Sequence, residues 1–163
     1  MACACRKDSN AASMITFTKI THNIHRLLPG IARICSRDKG IAALYLFGSH
    51  AKVTAGPLSD VDLAVLFEKN NRPKTYFAKR LHLISAFSRT LHTNEVELIV
   101  LNNAPVSLSY QVVKDGELLY ERDRIQRIAF EAKTVSAYLD SRFLREIGRR
   151  YLKKRIAEGR YLD

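Results

Sequence analysis

The sequence predicts an α+β fold: a small mixed sheet flanked by helices, with a long C-terminal helix. Three observations predict it. Apolar runs of strand length, Ile41–Phe47, Val61–Phe67 and Asn94–Leu101, alternate with stretches whose apolar residues recur every three or four positions. Turn formers stand between them, among them Pro29-Gly30, Gly40, Asn70-Asn71-Arg72-Pro73 and Asp115-Gly116. The chain has 163 residues, the length of one domain, and shows no internal repeat or low-complexity linker.

Taken in order, residues 1–13 are small, polar and aperiodic, and are expected to be disordered. Ile20, Ile24, Leu27, Leu28, Ile31 and Ile34 then follow helical spacing. Pro29-Gly30 interrupts them, predicting a kink or two short helices with Pro29 opening the second. Gly40 ends that region, and Ile41–Phe47 reads as a buried strand. Ser49–Thr54 is expected to form a short helix, which Ala55-Gly56-Pro57 breaks. Val61–Phe67 is the second strand, antiparallel or mixed with the first.

A helix follows from about Pro73 to His92, with Phe77, Leu81, Ile84 and Leu91 on its apolar face. In Asn94–Leu101, Glu95 and Glu97 share one side of a third strand, while Val96, Leu98 and Val100 share the other. Pro105 opens a helix to Lys114, and Glu117–Tyr120 is a short strand. From Arg122 to Ala157 there is no proline and a single glycine, Gly148. Ile125, Ile128, Ala129, Ala132, Val135, Leu139, Phe143 and Ile147 form a helical stripe there. One long helix is expected, either continuous or broken near Asp140-Ser141 or Gly148.

Composition narrows the class. With 47% apolar and 26% charged residues the chain resembles a soluble globular protein. No apolar run approaches membrane-spanning length, and MACACRKDSN has no apolar signal core, so a cytoplasmic location is expected. Three cysteines, Cys3, Cys5 and Cys35, argue against a disulfide framework, and no second Cys/His pair completes a zinc site. The net charge of +11 attracts polyanions, whether nucleotides, nucleic acid or an acidic protein. Basic residues crowd Arg142–Arg160, against only Glu146 and Glu158, and read as a solvated helix face, a protein-binding surface or an RNA contact. Apolar Leu144, Ile147, Tyr151 and Leu152 lie among them, favouring a protein partner over direct nucleic-acid binding, for which no aromatic stacking platform is present.

The chemistry concentrates in LYLFGSHAKVTAGPLSDVDLAVLF, residues Leu44–Phe67. Asp60 and Asp62 lie at i and i+2, so on a strand they share a face with Cα atoms about 6.5 Å apart. Two such carboxylates can converge on one Mg²⁺ or clamp a pair of ions about 3.5–4 Å apart. Transfer of a nucleotidyl group from a triphosphate needs such a clamp and usually a third acid from a neighbouring strand. Glu97 is the best candidate, with Glu95 as the alternative. Gly48 permits close backbone approach to phosphate, Ser49 adds a hydroxyl donor, and Lys52 supplies a cation. His50 is read either as a phosphate contact or as an exposed loop residue.

Gly48-Ser49, ten residues, then Asp60-Val61-Asp62 resembles the signature of the polymerase-β-like nucleotidyltransferases. The wider stretch resembles the minimal nucleotidyltransferases paired with HEPN-domain toxins, and so do VELIVLNNAPVSLSYQVVKDGELLYE and AYLDSRFLREIGRRYLKKRIAEG. The resemblance implies a polymerase-β-like nucleotidyltransferase domain over residues 14–121, with a helical extension at 122–163 packed on it. It implies an antitoxin that uses ATP and Mg²⁺, two ions by the usual pattern, to add AMP to a tyrosine of a cognate HEPN RNase toxin. By position, Asp60, Asp62 and Glu97 are the catalytic, metal-binding acids, and Gly48 and Ser49 contact the triphosphate. The alternatives within the same reading are transfer to a small molecule such as an aminoglycoside, or neutralisation of the toxin by binding alone. The family often carries Arg-Gly where this chain has Lys52-Val53, and lysine lacks the bidentate fork of arginine.

Overall fold

The computed structural model describes residues 23–52, 56 and 59–159. A 3-10 turn at Ile24–Arg26 leads into helix α1, Leu28–Arg37, whose first turn holds Pro29. Proline fits there because the first helical N–H groups have no intrahelical acceptor. The interrupted pattern is therefore resolved as two short elements. The disorder expected of residues 1–13 lies outside the described residues.

Strands β1, Ile41–Phe47, and β2, Val61–Phe67, form the centre of the sheet. β3 spans Val96–Val100 and β4 spans Glu117–Glu121. The strand order is β3-β2-β1-β4, with β1 antiparallel to β2 and β4, and β2 parallel to β3. The sheet is thus mixed, as the sequence predicts. β1 and β2 are nearly continuous apolar runs because both of their faces are covered.

On one face, Leu44, Leu46, Leu63, Val65 and Phe67 pack with Ile31 and Cys35 of α1. The same layer takes Leu83, Phe87 and Leu91 from α3, Tyr76–Leu91. On the other face, Ala42, Ala43, Tyr45, Ala64 and Leu66 meet Val112 of α4, Val106–Asp115, and Phe130 of α5, Arg124–Asp140. Small residues on this second face let the two helices approach closely. Tyr45 donates its hydroxyl to Glu131 at 2.7 Å, and Arg127 joins Glu131 to Glu121, tying α5 to β1 and β4. Gln126 accepts from the Lys69 amide and donates to the Phe67 carbonyl, fixing the start of α5 at the far end of β2. Cys35 is buried with its thiol free, and burial pushes its pKa up to about 12, which makes it inert.

Two expectations change. Of the face expected for α3, Phe77 and Leu81 are exposed, and the buried residues are Leu83, Ala86, Phe87 and Leu91. The face turned to the sheet is the one with Leu83, Phe87 and Leu91, and at the sheet edge Arg80 donates to the Leu98 carbonyl of β3 at 2.6 Å. The C-terminal stretch is two helices, α5 and α6, Arg142–Ala157, divided at Ser141. Its long stripe is not core. Ile125, Ile128, Leu139, Phe143 and Ile147 are exposed, and α6 buries no residue. Among the described residues no helix is long and apolar enough to cross a membrane.

Candidate active site

β1 runs straight into the short helix α2, Gly48–Ala51. Gly48 sits at φ +72°, in the left-handed region that favours glycine. Space imposes the same choice. A Cβ at Gly48 would collide with the Asp62 carboxylate and lie 2.9 Å from its Cγ. The pairing of Phe47 with Asp62 across the β1–β2 ladder produces this closeness. The glycine and the second aspartate are thus one local unit.

Asp62 stands on β2 opposite Glu97 of β3, in direct register. Neighbouring strands lie about 4.8 Å apart, so the two carboxylates flank one another on the same face. Asp60 immediately precedes β2 and is exposed, as is Glu97, while Asp62 is half-buried. Burial holds the Asp62 carboxyl above the usual carboxylate range, and the charges of Glu97 and then Asp60 add to the effect. His50 opposes it. Glu95 lies before β3, its carbonyl accepting from the Val61 amide, so Glu97 rather than Glu95 is the strand partner of Asp62.

Among the described residues, no three His, Cys, Asp or Glu side chains are drawn into a ready-made metal cage. The donor set is all carboxylate oxygen, open to solvent on one side, and its two outer acids favour protonation of the central one. Such a set fits Mg²⁺, which takes one or two carboxylates and fills its remaining positions with water and substrate phosphate.

His50 departs from the exposed-loop reading. It is buried, and its Nε2 lies 3.2 Å from the Ser59 carbonyl. The contact fastens α2 to the residue just before Asp60 and so closes the ten-residue loop on itself. Ser49, half-buried, stands between Gly48 and His50. Lys52 is turned toward Asp115 at the C-terminus of α4, with Nζ 2.9 Å from Oδ2. The hydrogen bond from Lys52 holds the Asp115 carboxyl below its usual range. Asp115 carries no sequence signal beyond a helix stop, because its partner is remote along the chain. For His50 the signal was its position directly after Gly48-Ser49.

The sequence matches the family described as polymerase beta, nucleotidyltransferase, over residues 30–125. This chain belongs to that family. The match spans more than half of the chain and includes the glycine–serine turn and all three acids. No curated protein matches. Among solved structures, one described as a toxin–antitoxin with AMP-PNP is 25% identical with a TM-score of 0.63, covering 78% of this chain and 97% of the other. A second, described as a tri-AMPylated Shewanella oneidensis HEPN toxin in complex with MNT antitoxin, is 23% identical with a TM-score of 0.63, covering 80% and 99%. A third, a toxin–antitoxin MntA–HepT structure, is 23% identical with a TM-score of 0.61, covering 79% and 98%. The fold is therefore that of a polymerase-β-like nucleotidyltransferase.

Proposed function

We propose that this nucleotidyltransferase is an antitoxin that transfers AMP from ATP to a tyrosine of a HEPN-domain RNase toxin in the cytoplasm. The observation that carries the reading is the register of Asp62 with Glu97 beside Asp60 and the Gly48 turn. Similarity to structures described as toxin–antitoxin complexes, one with AMP-PNP and one with a tri-AMPylated toxin, supports the substrate and the partner.

In this reading Gly48 and Ser49 hold the triphosphate, the glycine by leaving its backbone bare and the serine through its hydroxyl. Asp60, Asp62 and Glu97 hold Mg²⁺, which when bound neutralises charge on the α-phosphate and on the departing pyrophosphate. The tyrosine oxygen attacks the α-phosphorus, and a new P–O bond forms. The bond from the α-phosphorus to the bridging oxygen breaks, and pyrophosphate leaves with that electron pair. Glu97, exposed beside Asp62, accepts the phenolic proton. His50 positions the loop that carries Asp60 and lies outside the reacting atoms.

The test is mass spectrometry of a cognate HEPN-domain toxin, after incubation with the enzyme, ATP and Mg²⁺. The expected result is a gain of one or more AMP units on a tyrosine, abolished by Asp60→Ala/Asp62→Ala. A bound but unmodified partner refutes the transfer. Protection of cells by the double variant would assign neutralisation to binding alone.

A further inference from the structure

The part of the chain that the active site does not absorb is α6. None of its residues is buried, and Phe143, Leu144 and Tyr151 are 71%, 70% and 64% exposed. At 100° per residue these three and Ile147 fall within one stripe about 100° wide. Arg142, Arg145, Arg149 and Lys153 occupy the opposite side together with exposed Leu152 and Ile156, and Lys154 falls within the stripe. Helix α6 carries seven Lys and Arg against a single glutamate. A free-standing helix of this composition has little reason to be stable in water, since most helical stability comes from packing an apolar face.

The topology fixes where this helix is rooted. Leu46 of β1 pairs with Glu117 of β4, and Phe47 with Asp62, so the acids lie at the end of the sheet where β4 begins. Helix α4 ends there too, as the Lys52–Asp115 ion pair shows. Helix α5 starts at the opposite end, at the Gln126–Phe67 bond, and packs beside α4. Its 17 residues span about 25 Å, the length of the seven-residue central strands. Tyr138, near its end, lies against Tyr110 in the middle of α4, and α6 follows after Ser141. The face agrees as well: Asp62 alternates with Ala64 and Leu66, which α4 and α5 cover.

The root is also held in place. Tyr110 of α4 stacks on Tyr138 of α5 with centroids 3.7 Å apart and planes at 1°. The Arg145 guanidinium covers the other side of Tyr138 at 3.7 Å, and Arg145 also donates to the Ser141 hydroxyl. An unpartnered amphipathic helix is thus braced on the α4–α5 pair, which covers the sheet face that carries Asp62.

We propose that α6 is the docking surface for the protein substrate, received by an apolar groove with an acidic rim on the partner. This inference rests on the functional reading above and adds the surface that delivers the tyrosine. The charge selects the occupant. A second copy of α6 would bring like charges together, whereas an acidic rim complements the basic side while the apolar stripe is buried.

The experiment uses the full chain and a cognate HEPN-domain toxin, with binding measured by calorimetry and AMP transfer by mass spectrometry. Phe143→Ser/Ile147→Ser removes apolar area from exposed positions, so the melting temperature stays at the wild-type value. Binding is expected to weaken at least about tenfold, with an equal fall in kcat/KM for partner modification and unchanged affinity for ATP. Arg149→Glu/Lys153→Glu is expected to weaken binding at low salt and much less at about 0.5 M salt. Wild-type partner binding and modification by both variants would overturn the docking proposal while leaving the functional reading standing. Wild-type protein that binds through α6 but transfers no AMP would do the reverse. Stripe-dependent adhesion to phosphatidylglycerol vesicles, or stripe-dependent dimerisation, with partner binding unchanged, would also overturn it.

Discussion

Replacing Gly48 with alanine tests the tightest contact in the site. Two costs are separable. Alanine at φ +72° adopts the left-handed conformation, at about 1–2 kcal/mol. Its Cβ also enters the volume of the Asp62 carboxylate, so that side chain must swing aside. Displacement of a reacting-site group by about 1 Å costs on the order of 100-fold in rate, so nucleotidyl transfer is expected to fall by at least that factor. Stability should fall by about 2–3 kcal/mol, adding an off-rotamer cost at Asp62 to the backbone cost. In a chain of this length that lowers the melting temperature by about 4–12 °C.

A double-mutant cycle with Asp62→Ala isolates the collision. Removing the carboxylate leaves only the Asp62 Cβ, 3.2 Å from the new methyl, so in that background Gly48→Ala should cost little beyond the backbone term. Urea unfolding of the four proteins gives the coupling directly. Additivity to within about 0.5 kcal/mol would refute the claim that Gly48 is glycine because of Asp62.

Other expectations follow from the same geometry. Ionised Asp62 opposes folding, since its folded pKa is raised by burial, Glu97 and Asp60. Stability is therefore lost as pH rises from about 4 through the raised folded value, and Asp62→Asn should melt higher than wild type at pH 7 but alike below about pH 4. Equal melting at pH 7 would contradict it. His50→Ala leaves the Ser59 carbonyl without its ring partner and is expected to lower kcat with little change in KM for ATP, while His50→Gln restores part of the rate. A loss confined to stability, unaffected by glutamine, would make His50 merely structural. The Lys52–Asp115 pair is half-exposed, so Asp115→Ala should change stability by less than about 1 kcal/mol in chemical denaturation. If Lys52 reaches the triphosphate on binding, Lys52→Ala raises KM for ATP and Asp115→Ala does not.

Ile41–Phe47 and Val61–Phe67 coincide with the observed strands because a buried strand bounded by turn residues leaves little freedom for its ends. Glu97 was readable as a third acid from its place opposite an apolar strand face, but its register with Asp62 depends on which strand lies beside β2. The α3 face was misjudged because Phe77 and Leu81 fit helical spacing as well as Leu83 and Phe87 do. Only the packing of Leu83, Phe87 and Leu91 against the sheet separates the two. The stripe through Ile125 and Phe143 was legible as an apolar helix face, but spacing does not record what covers such a face, and in the structure it is exposed. Lys52 turning toward Asp115 joins two distant loops, and no local pattern carries such information.

The parallel pairing of β2 with β3 sets an order of events for the newborn chain. Asp62 and Gly48 meet through an antiparallel ladder closed by a modest loop, but Glu97 arrives only after α3 has crossed the sheet and packed Leu83, Phe87 and Leu91 beneath it. Contacts of this separation form late, because the entropy of closing the chain is lost before the pairing returns anything. A refolding experiment followed by nucleotide binding should therefore lag behind one followed by strand content. Damage to the far side of the sheet, at Phe87 for instance, would reach the chemistry by delaying or loosening the arrival of one carboxylate.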